Sequence, residues 1–478
     1  MISLLIDPSL EYPDARDFFS PDELFPEYRF NHLSSIKNPV YTAVRQCFAQ
    51  SGLDQEQYGT PLWNPLGDFI KPGNRVFVLC NFANERRTKE LIENYQARCT
   101  HGSVLRAVID YILIAIGQTG TVSFGNAPVQ FCRWDSVLDD TGARSVFDFY
   151  QMRKVPVQAI DLRLFVNRTN SLGASTQVDR RSEAEGVSVN LDGDSLLVEL
   201  DRHPAHQYRV MNYNPKRTES FHSHGSHTYI INRHILESDV IFSIPKLKTH
   251  EKVGISCALK GFVGTVGHKD SLPHHRFGSP RIGGDEYPQD KSGLLQLQSV
   301  FHEYVQQTKA DSNWGRLLRV TYRVIRRLTR KWAPTTEGAW WGNDTAWRMV
   351  LDLVRISTYA SIGGELQPAP CRKHFVLIDG IYGGEGEGPA NPTAVRSGVL
   401  LFGDNLVTAD YINSILMGYD PLCIPLVRES LTLAKYPLLN RELMAEQIVC
   451  NGKPKALSEL EKMEKYHFEP PPGWKGKL

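Results

Sequence analysis

The chain has 478 residues, of which 41% are hydrophobic and 22% are charged, a composition that excludes a largely disordered or fibrous protein. Lysine plus arginine (54) nearly equals aspartate plus glutamate (53), for a formal net charge of +1, so we expect no nucleic-acid partner. No apolar run reaches the ~20 residues of a membrane span, and the N-terminus lacks the basic start of a signal peptide. The eight cysteines include no CxxC pair. We therefore expect a cytoplasmic protein with free thiols and no iron–sulfur cluster held by this chain alone.

Strand and helix patterns alternate along the chain and predict an α/β fold with a mostly parallel sheet. The first unit combines a buried strand at 75–82, a helix at 100–117 and a strand at 121–128. A β-rich insertion and a helical insertion interrupt the later repeats of this pattern. The predicted segments are an N-terminal extension and helix (1–70), a first α/β segment (71–154), the β-rich insertion (155–235), an α/β segment with a loop rich in lysine, histidine and glycine (236–294), the basic helical insertion (295–345), a C-terminal α/β segment (346–450) and a charged, proline-rich surface tail (451–478).

Residues 315–332 form a predicted basic amphipathic helix. Arginines lie largely on one face, while apolar residues such as Leu317, Leu318, Val324 and Leu328 lie toward another. Three interpretations stay open: a solvated charged face over an apolar core stripe, a helix lying on an anionic membrane surface, or a lid over an anionic substrate. The second predicts peripheral membrane contact through this segment.

Histidine is concentrated in one part of the chain, since ten of the fifteen histidines lie within 203–275. Spacing that suits imidazole ligands makes a divalent metal site one interpretation. A metal-free polar active site and a cluster without a role are the other two. The candidate metal ligands are His222, His224, His227, His274 and His275.

Positive charge is concentrated in 243–276, directly after a predicted buried strand. In open α/β sheets the ligand crevice lies at the C-terminal ends of strands, and glycines here allow the backbone to approach a ligand closely. The segment contains neither a Walker A loop nor a Rossmann glycine motif. Lysines in this position predict a small anionic metabolite as partner.

An acidic, glycine-rich counterpart follows at 378–389, which we predict to be a strand end and a flexible loop. Asp379 lies at the predicted strand end, where a carboxylate can bind a metal or act as a base. Glu385 and Glu387 would repel a bare anion unless a cation lies between them. The segment therefore favours a nearby metal or lysine.

The block SDVIFSIPKLKTHEKVGISCALKGFVGTVGHKD (238–270) resembles the signature of the family known as domain of unknown function 362. FVLIDGIYGGEGEGP (375–389) and VLLFGDNLVTADYINSILMGYDP (399–421) resemble its later blocks. The resemblance implies a shared α/β fold and a common site, but no established reaction. The family's opening block usually contains lysine-proline-asparagine. This chain has LCNF (79–82) at that place, so only the asparagine, Asn81, matches. Lys260-Gly261 replaces a Lys-Asn pair that is frequent in the family. The ferredoxin-like cysteine clusters fused to some members are absent.

We interpret the chain as an enzyme that acts on a small anionic substrate by acid–base chemistry, metal-assisted if the histidines bind a metal. A phosphorylated or nucleotide-linked sugar or a carboxylate, as used in polysaccharide or secondary-metabolite biosynthesis, would be such a substrate. The alternatives are a redox protein with a bound cofactor and a non-catalytic protein at a membrane or glycan-assembly complex. The candidate catalytic residues are His101, His250, Asp379 and Lys260, and the candidate substrate-binding residues are Asn81, Lys246, Lys248, Lys269, Arg276 and Glu385.

Overall fold

The fold is known from a computed structural model, which describes the chain except residues 170–174, 182–184, 203–206, 211–212, 214, 224, 290–291, 309–311, 330–334, 440–441 and 444–445. Its strands are β1 (Ile2–Ile6), β2 (Arg75–Cys80), β3 (Thr121–Asn126), β4 (Val157–Asp161), β5 (Phe165–Thr169), β6 (Ser175–Asp179), β7 (Gly186–Asn190), β8 (Tyr208–Arg209), β9 (His222–Ser223), β10 (Ser226–Asn232), β11 (Val240–Ile244), β12 (Lys246–His250), β13 (Gly254–Ser256), β14 (His275–Arg276), β15 (Lys373–Glu387), β16 (Asn391–Gly403), β17 (Ile448–Cys450) and β18 (Lys453–Lys455).

Helices lie between about half of the consecutive strands. They are α1 (Pro39–Gln50), α2 (Ile92–Arg98), α3 (Gly102–Ile116), α4 (Trp134–Thr141), α5 (Ala143–Met152), α6 (Pro215–Phe221), α7 (Arg233–Glu237), α8 (Ala258–Gly261), α9 (Ser292–Gln307), α10 (Asn313–Thr329), α11 (Ala346–Tyr359), α12 (Leu406–Met417), α13 (Pro425–Ser430) and α14 (Leu457–Leu460).

Eleven strands form one central sheet in the order β18-β17-β1-β16-β15-β11-β2-β3-β4, and β12 and β13 extend it beside β15. Neighbours from β15 to β4 run parallel, which confirms the α/β fold with a mostly parallel sheet. Smaller sheets, β7-β10-β9, β8-β14 and β5-β6, are formed by strands within residues 165–276.

The central sheet is covered on both faces, as its parallel strands require. Successive side chains of β2 alternate between two cores: Phe77 and Leu79 join one, and Val76 and Val78 join the other. The first core packs against α11 and α12, and the second packs against α1, α3 and α5. The uninterrupted apolar run of β2 follows from burial on both sides.

Among the described residues, one helical stretch, Ile92–Ile116, has the length and apolar composition to cross a membrane. Within the fold, 89% of the most apolar 18-residue segment of this stretch is buried. A helix that is apolar on all sides is a core helix when other elements cover it, and α3 has this environment between the sheet, α1 and α5.

The glycine-rich segment differs from its prediction, because most of it is strand rather than flexible loop. β15 continues to Glu387 and pairs with β16 over most of its length. A Cβ at Gly384 would lie 3.0 Å from the Cβ of Lys248, and one at Gly388 would lie 2.1 Å from the carbonyl oxygen of Thr249. Glycine is therefore needed here for close packing of β15 against β12.

The C-terminal residues also differ from the predicted surface tail. Phe468 and Trp474 are buried in the core region, and the Trp474 indole nitrogen donates to the carbonyl oxygen of Glu251 at 2.8 Å. Two aromatic side chains in a charged, proline-rich context thus anchor this segment beside β12, where their apolar surface is removed from water.

Candidate functional site

The candidate site begins where the chain leaves β11. Beyond Pro245, β12 pairs with β15 and β13 rather than continuing beside β2, with Lys246 opposite Asp379. The sequence predicts a charged loop here, but the hydrogen bonds to two neighbours make it a strand. Because side chains alternate along a strand, Lys246, Lys248 and His250 lie on the same face. All three are buried.

Lys246, the first of these three residues of β12, is part of a buried polar network. Lys246 Nζ lies 2.9 Å from Asp379 Oδ1 and donates to the Tyr12 hydroxyl at 2.8 Å. The same carboxylate accepts from the Tyr12 hydroxyl and, at 3.1 Å, from the backbone N–H of His101. Burial lowers the pKa of Lys246, and the charge of Asp379 opposes this shift. Lys246 and Asp379 therefore form a buried ion pair whose carboxylate also accepts from Tyr12 and from the His101 backbone.

His101 lies against this network but has a structural function of its own. Its ring stacks on Tyr12 with centroids 4.0 Å apart, and its Nδ1 accepts from the backbone N–H of Ser103 at 3.2 Å, which caps the start of α3. Burial, assisted by the charge of Lys246, lowers the pKa of His101 to about 3. The ring is therefore neutral at pH 7, and a catalytic function for it stays a prediction.

Lys248, the second of the three residues, is held by neutral oxygens. Its Nζ donates to Asn81 Oδ1 at 2.8 Å and to the carbonyl oxygen of Arg98 at 2.7 Å. Burial lowers its pKa to about 7. The structure thus brings together two predicted substrate-binding residues, Asn81 directly after β2 and Lys248 within β12, and their binding of a substrate stays a prediction.

His250, the last of the three residues, lies near Lys252, Lys260 and His274. We call these four residues the lysine–histidine cluster. Burial and the neighbouring Lys252 lower the pKa of Lys260 to about 8. Burial, then the charges of Lys260 and Lys252, lower the pKa of His250 well below its ordinary value and that of His274 to about 3. Within the part of the chain that the structure describes, no carboxylate raises the pKa of Lys260.

The two histidines of the cluster hold opposite tautomers. His250 Nδ1 accepts from the backbone N–H of Lys252 at 3.1 Å, so the neutral ring carries its proton on Nε2. His274 Nδ1 donates to the carbonyl oxygen of Leu272 at 2.7 Å, so its Nε2 has a lone pair. The cluster therefore offers one proton donor and one acceptor beside two lysines.

Two residues outside segment 243–276, Asp410 and Glu337, hold the cluster in position. The Asp410 carboxylate accepts from the backbone N–H groups of Ala258 and Leu259 at 2.6 and 3.0 Å, which fixes the start of the short helix α8 that carries Lys260. The carbonyl oxygen of Glu337 accepts from Lys252 Nζ. Burial raises the pKa of Asp410 to about 7.

Three predicted substrate-binding residues have other partners. Lys269 Nζ donates to the carbonyl oxygen of Ala127 at 2.7 Å, although its charge still lowers the pKa of His274. Arg276 lies 3.5 Å from the Asp285 carboxylate. Glu385 accepts from the backbone N–H of Glu469 at 2.8 Å and so anchors the C-terminal residues. A direct substrate contact by any of them stays a prediction.

The predicted metal ligands come together only in part. His222 and His227 face each other, with 3.3 Å between their Nδ1 atoms, and their Nε2 atoms lie 3.0 Å from the Ser271 carbonyl oxygen and from Asp201. His274 instead faces the lysines, and the pKa of its neighbour His275 is lowered by burial and the charge of Lys252. No three histidine, cysteine or acidic side chains among the described residues are arranged to hold a metal ion. His224 lies outside the described residues, so the metal site stays a prediction.

Sequence reasoning missed Tyr12 and Lys252 as parts of this region, and it noted Asp410 only as an acidic residue that follows the glycine-rich segment. Tyr12 is 367 residues from Asp379 in the chain, and no local pattern marks it. Lys252 lies two residues beyond His250 and was available from the same charge pattern. Asp410 is buried within the apolar helix α12. An acidic residue in such a helix indicates that its carboxylate accepts hydrogen bonds from buried donors.

Comparisons with known proteins point to one family. Residues 198–414, which include the lysine–histidine cluster, Asp379 and Asp410, match the family model described as Domain of unknown function (DUF362). A search of curated proteins finds no match. A solved structure of a protein from Thermotoga maritima is 10% identical with a TM-score of 0.31, and the match covers 73% of this chain and 53% of that one, so the chain spans about half of that protein's length. The match over residues 198–414 confirms the resemblance seen in the sequence, and it covers slightly less than half of the chain.

Proposed function

We propose that the lysine–histidine cluster binds a small anionic substrate and moves protons to and from it. The observation that supports this most strongly is the buried Lys260, whose pKa is lowered by burial and the charge of Lys252, beside two neutral histidines. An arrangement that holds like charges together in a buried region is costly in the free protein. An anion placed between them removes that cost, and phosphate or carboxylate groups have the required charge.

Anion binding would also activate the histidines. Burial, and after it the charges of Lys260 and Lys252, keep the pKa of His250 and His274 low. A bound anion offsets these charges and raises both pKa values toward the range in which general acid–base catalysis is efficient. His274 Nε2 then accepts a proton, and His250 Nε2–H donates a hydrogen bond to the bound anion, so proton transfer is coupled to occupancy of the site.

The proposal is tested with sulfate, whose charge does not change between pH 7 and pH 9. We expect Lys260→Met to weaken sulfate binding roughly 10- to 100-fold, because a charge-assisted hydrogen bond is lost, while Lys260→Arg keeps most of the affinity. Isothermal titration calorimetry on the full chain measures this. Lys453→Met, which removes the same charge from the exposed edge strand β18, is the matched control.

The pH dependence gives an independent check of the same site. Wild-type affinity for sulfate should fall from pH 7 to pH 9, because the Lys260 ammonium with a pKa of about 8 loses its proton. Lys260→Arg should remove this fall, since arginine stays charged. Equal affinities of wild type and Lys260→Met would contradict the anion site, as would a wild-type affinity that does not change with pH.

A separate prediction concerns Asp410 as a positioning residue. Asp410→Ala leaves the N–H groups of Ala258 and Leu259 without their acceptor and releases the helix that carries Lys260. We expect sulfate affinity to fall roughly tenfold or more, while Asp410→Asn, which keeps one acceptor oxygen, retains more of it. The pH at which sulfate binding weakens should also move in Asp410→Ala, because Lys260 gains solvent. Unchanged affinity and midpoint would show that Asp410 only stabilises the fold.

A further inference from the structure

The helix α10 exposes an apolar face that the rest of the described chain leaves uncovered. Trp314, Leu317, Val320, Val324 and Leu328 are between 49% and 64% exposed. At 100° per residue they occupy an arc of about 120° on the helix. The opposite side of α10 buries Gly315, Leu318 and Tyr322. Of the apolar stripe predicted for this helix, Leu318 is therefore buried, whereas Leu317, Val324 and Leu328 face outward.

Helix α9 continues this exposed surface. Leu297 and Tyr304 are 70% and 53% exposed, and the Trp314 indole nitrogen lies 3.5 Å from the Tyr304 hydroxyl. The two helices pack through Val305, Leu318 and Tyr322. We call the exposed apolar side chains of α9 and α10 the hairpin surface. Exposed apolar side chains that lie side by side in this way mark a binding face.

The charge beside the apolar arc identifies the partner. Helix α10 contains five arginines and no acidic residue. Arg316, Arg323 and Arg327 are exposed and lie along one border of the apolar arc. The acidic residue of α9, Glu303, is already paired with Arg209. The hairpin surface is therefore apolar with a positive border.

We propose that the hairpin surface docks onto an anionic lipid bilayer, with its apolar side chains in the interface and its arginines on the lipid phosphates. Interfacial amphipathic helices combine these features, and tryptophan and tyrosine favour the headgroup level. A second copy of the chain fits less well, because a two-fold contact would place the same arginine border on both sides. The docked hairpin would hold the lysine–histidine cluster near the membrane, since Arg326 contacts Glu337, whose carbonyl oxygen accepts from Lys252.

Vesicle cosedimentation of the full chain tests this docking. Wild type should bind vesicles of phosphatidylglycerol and phosphatidylcholine, and bind pure phosphatidylcholine vesicles far less. Leu317→Glu/Val324→Glu places charges in the apolar arc without disturbing the core and should abolish binding. Leu24→Glu/Leu62→Glu changes two side chains that are 71% and 74% exposed elsewhere and should bind as wild type does.

The arginines have a matched control as well. Arg316→Gln/Arg323→Gln/Arg327→Gln should weaken binding to the anionic vesicles about 100-fold. Arg16→Gln/Arg133→Gln/Arg181→Gln, at other exposed sites, has the same net charge and should bind more tightly than the hairpin variant. Failure of wild type to bind, or unchanged binding by the hairpin variants, would overturn the proposal. A wild-type dimer in light scattering that Leu317→Glu/Val324→Glu dissociates would overturn it in favour of a second copy.

Discussion

Asp379→Ala should lower the free energy of unfolding by about 3–5 kcal/mol, because it leaves the Lys246 ammonium in the interior without its carboxylate. Neither side chain of this pair is exposed to solvent, so water cannot replace the lost partner. The N–H group of His101 and the hydroxyl of Tyr12 also lose an acceptor. Urea unfolding followed by circular dichroism measures the change.

Two further variants separate the ion pair from the rest of the network. Tyr12→Phe removes one hydroxyl and should cost about 1 kcal/mol. Lys246→Met/Asp379→Leu removes both charges and should recover much of the stability lost in Asp379→Ala, since a buried pair can be replaced by apolar side chains at little cost. The interpretation is wrong if Asp379→Ala is no more destabilising than Tyr12→Phe.

The sequence predicts the central architecture because its signals are local. The run at 75–82 and the helix at 100–117 each carry enough apolar residues to define β2 and α3, and their order predicts a parallel sheet. The same order places Lys246 and Lys248 directly after a buried strand. It does not predict the ion pair between Lys246 and Asp379, because no local pattern shows that β12 forms or that β15 continues past Asp379.

Other features depend on contacts between distant parts of the chain. Composition marks 378–389 as a loop, but its glycines serve the close approach of β15 to β12, which no local pattern reveals. The helical period of 315–332 predicts an apolar stripe but not which apolar residues face solvent. Leu317 and Leu318 are neighbours in sequence, yet only Leu318 is buried, because α9 covers one side of the helix alone.

The lysines of the site should make the stability of the unliganded protein rise with pH between about 7.5 and 8.5. In the folded chain the pKa values of Lys248, Lys260 and Lys269 are lowered to about 7, 8 and 7, whereas in the unfolded chain they return to about 10.4. The unfolded state then binds more protons, so the free energy of unfolding increases with pH by up to about 1.4 kcal/mol per pH unit for each lysine. This stability is lost as the pH falls through the folded pKa values.

Groups that make the stability fall with rising pH set the limits of this pH range. Asp410 and Glu286, with pKa values raised to about 7, complete their titration near its lower end. The buried thiols, such as Cys47 with a pKa raised to about 12, oppose the trend once free thiols ionise above about pH 8.5. Denaturant unfolding at pH 7.5, 8.0 and 8.5 measures the slope between these limits.

Sulfate binding and the variant Lys260→Met test whether the rise of the free energy of unfolding with pH depends on the proposed site. Saturating sulfate should reduce the slope, because a bound anion raises the pKa of Lys260 toward its ordinary value. Lys260→Met should reduce it too, and sulfate should then have little further effect, whereas Lys453→Met should behave as wild type does. A stability that is flat or decreasing over this window would show that the buried lysines keep their protons in the folded chain. In that case the cluster would hold its positive charge at every pH in the window, and the proposed fall of anion affinity with pH would have no physical basis.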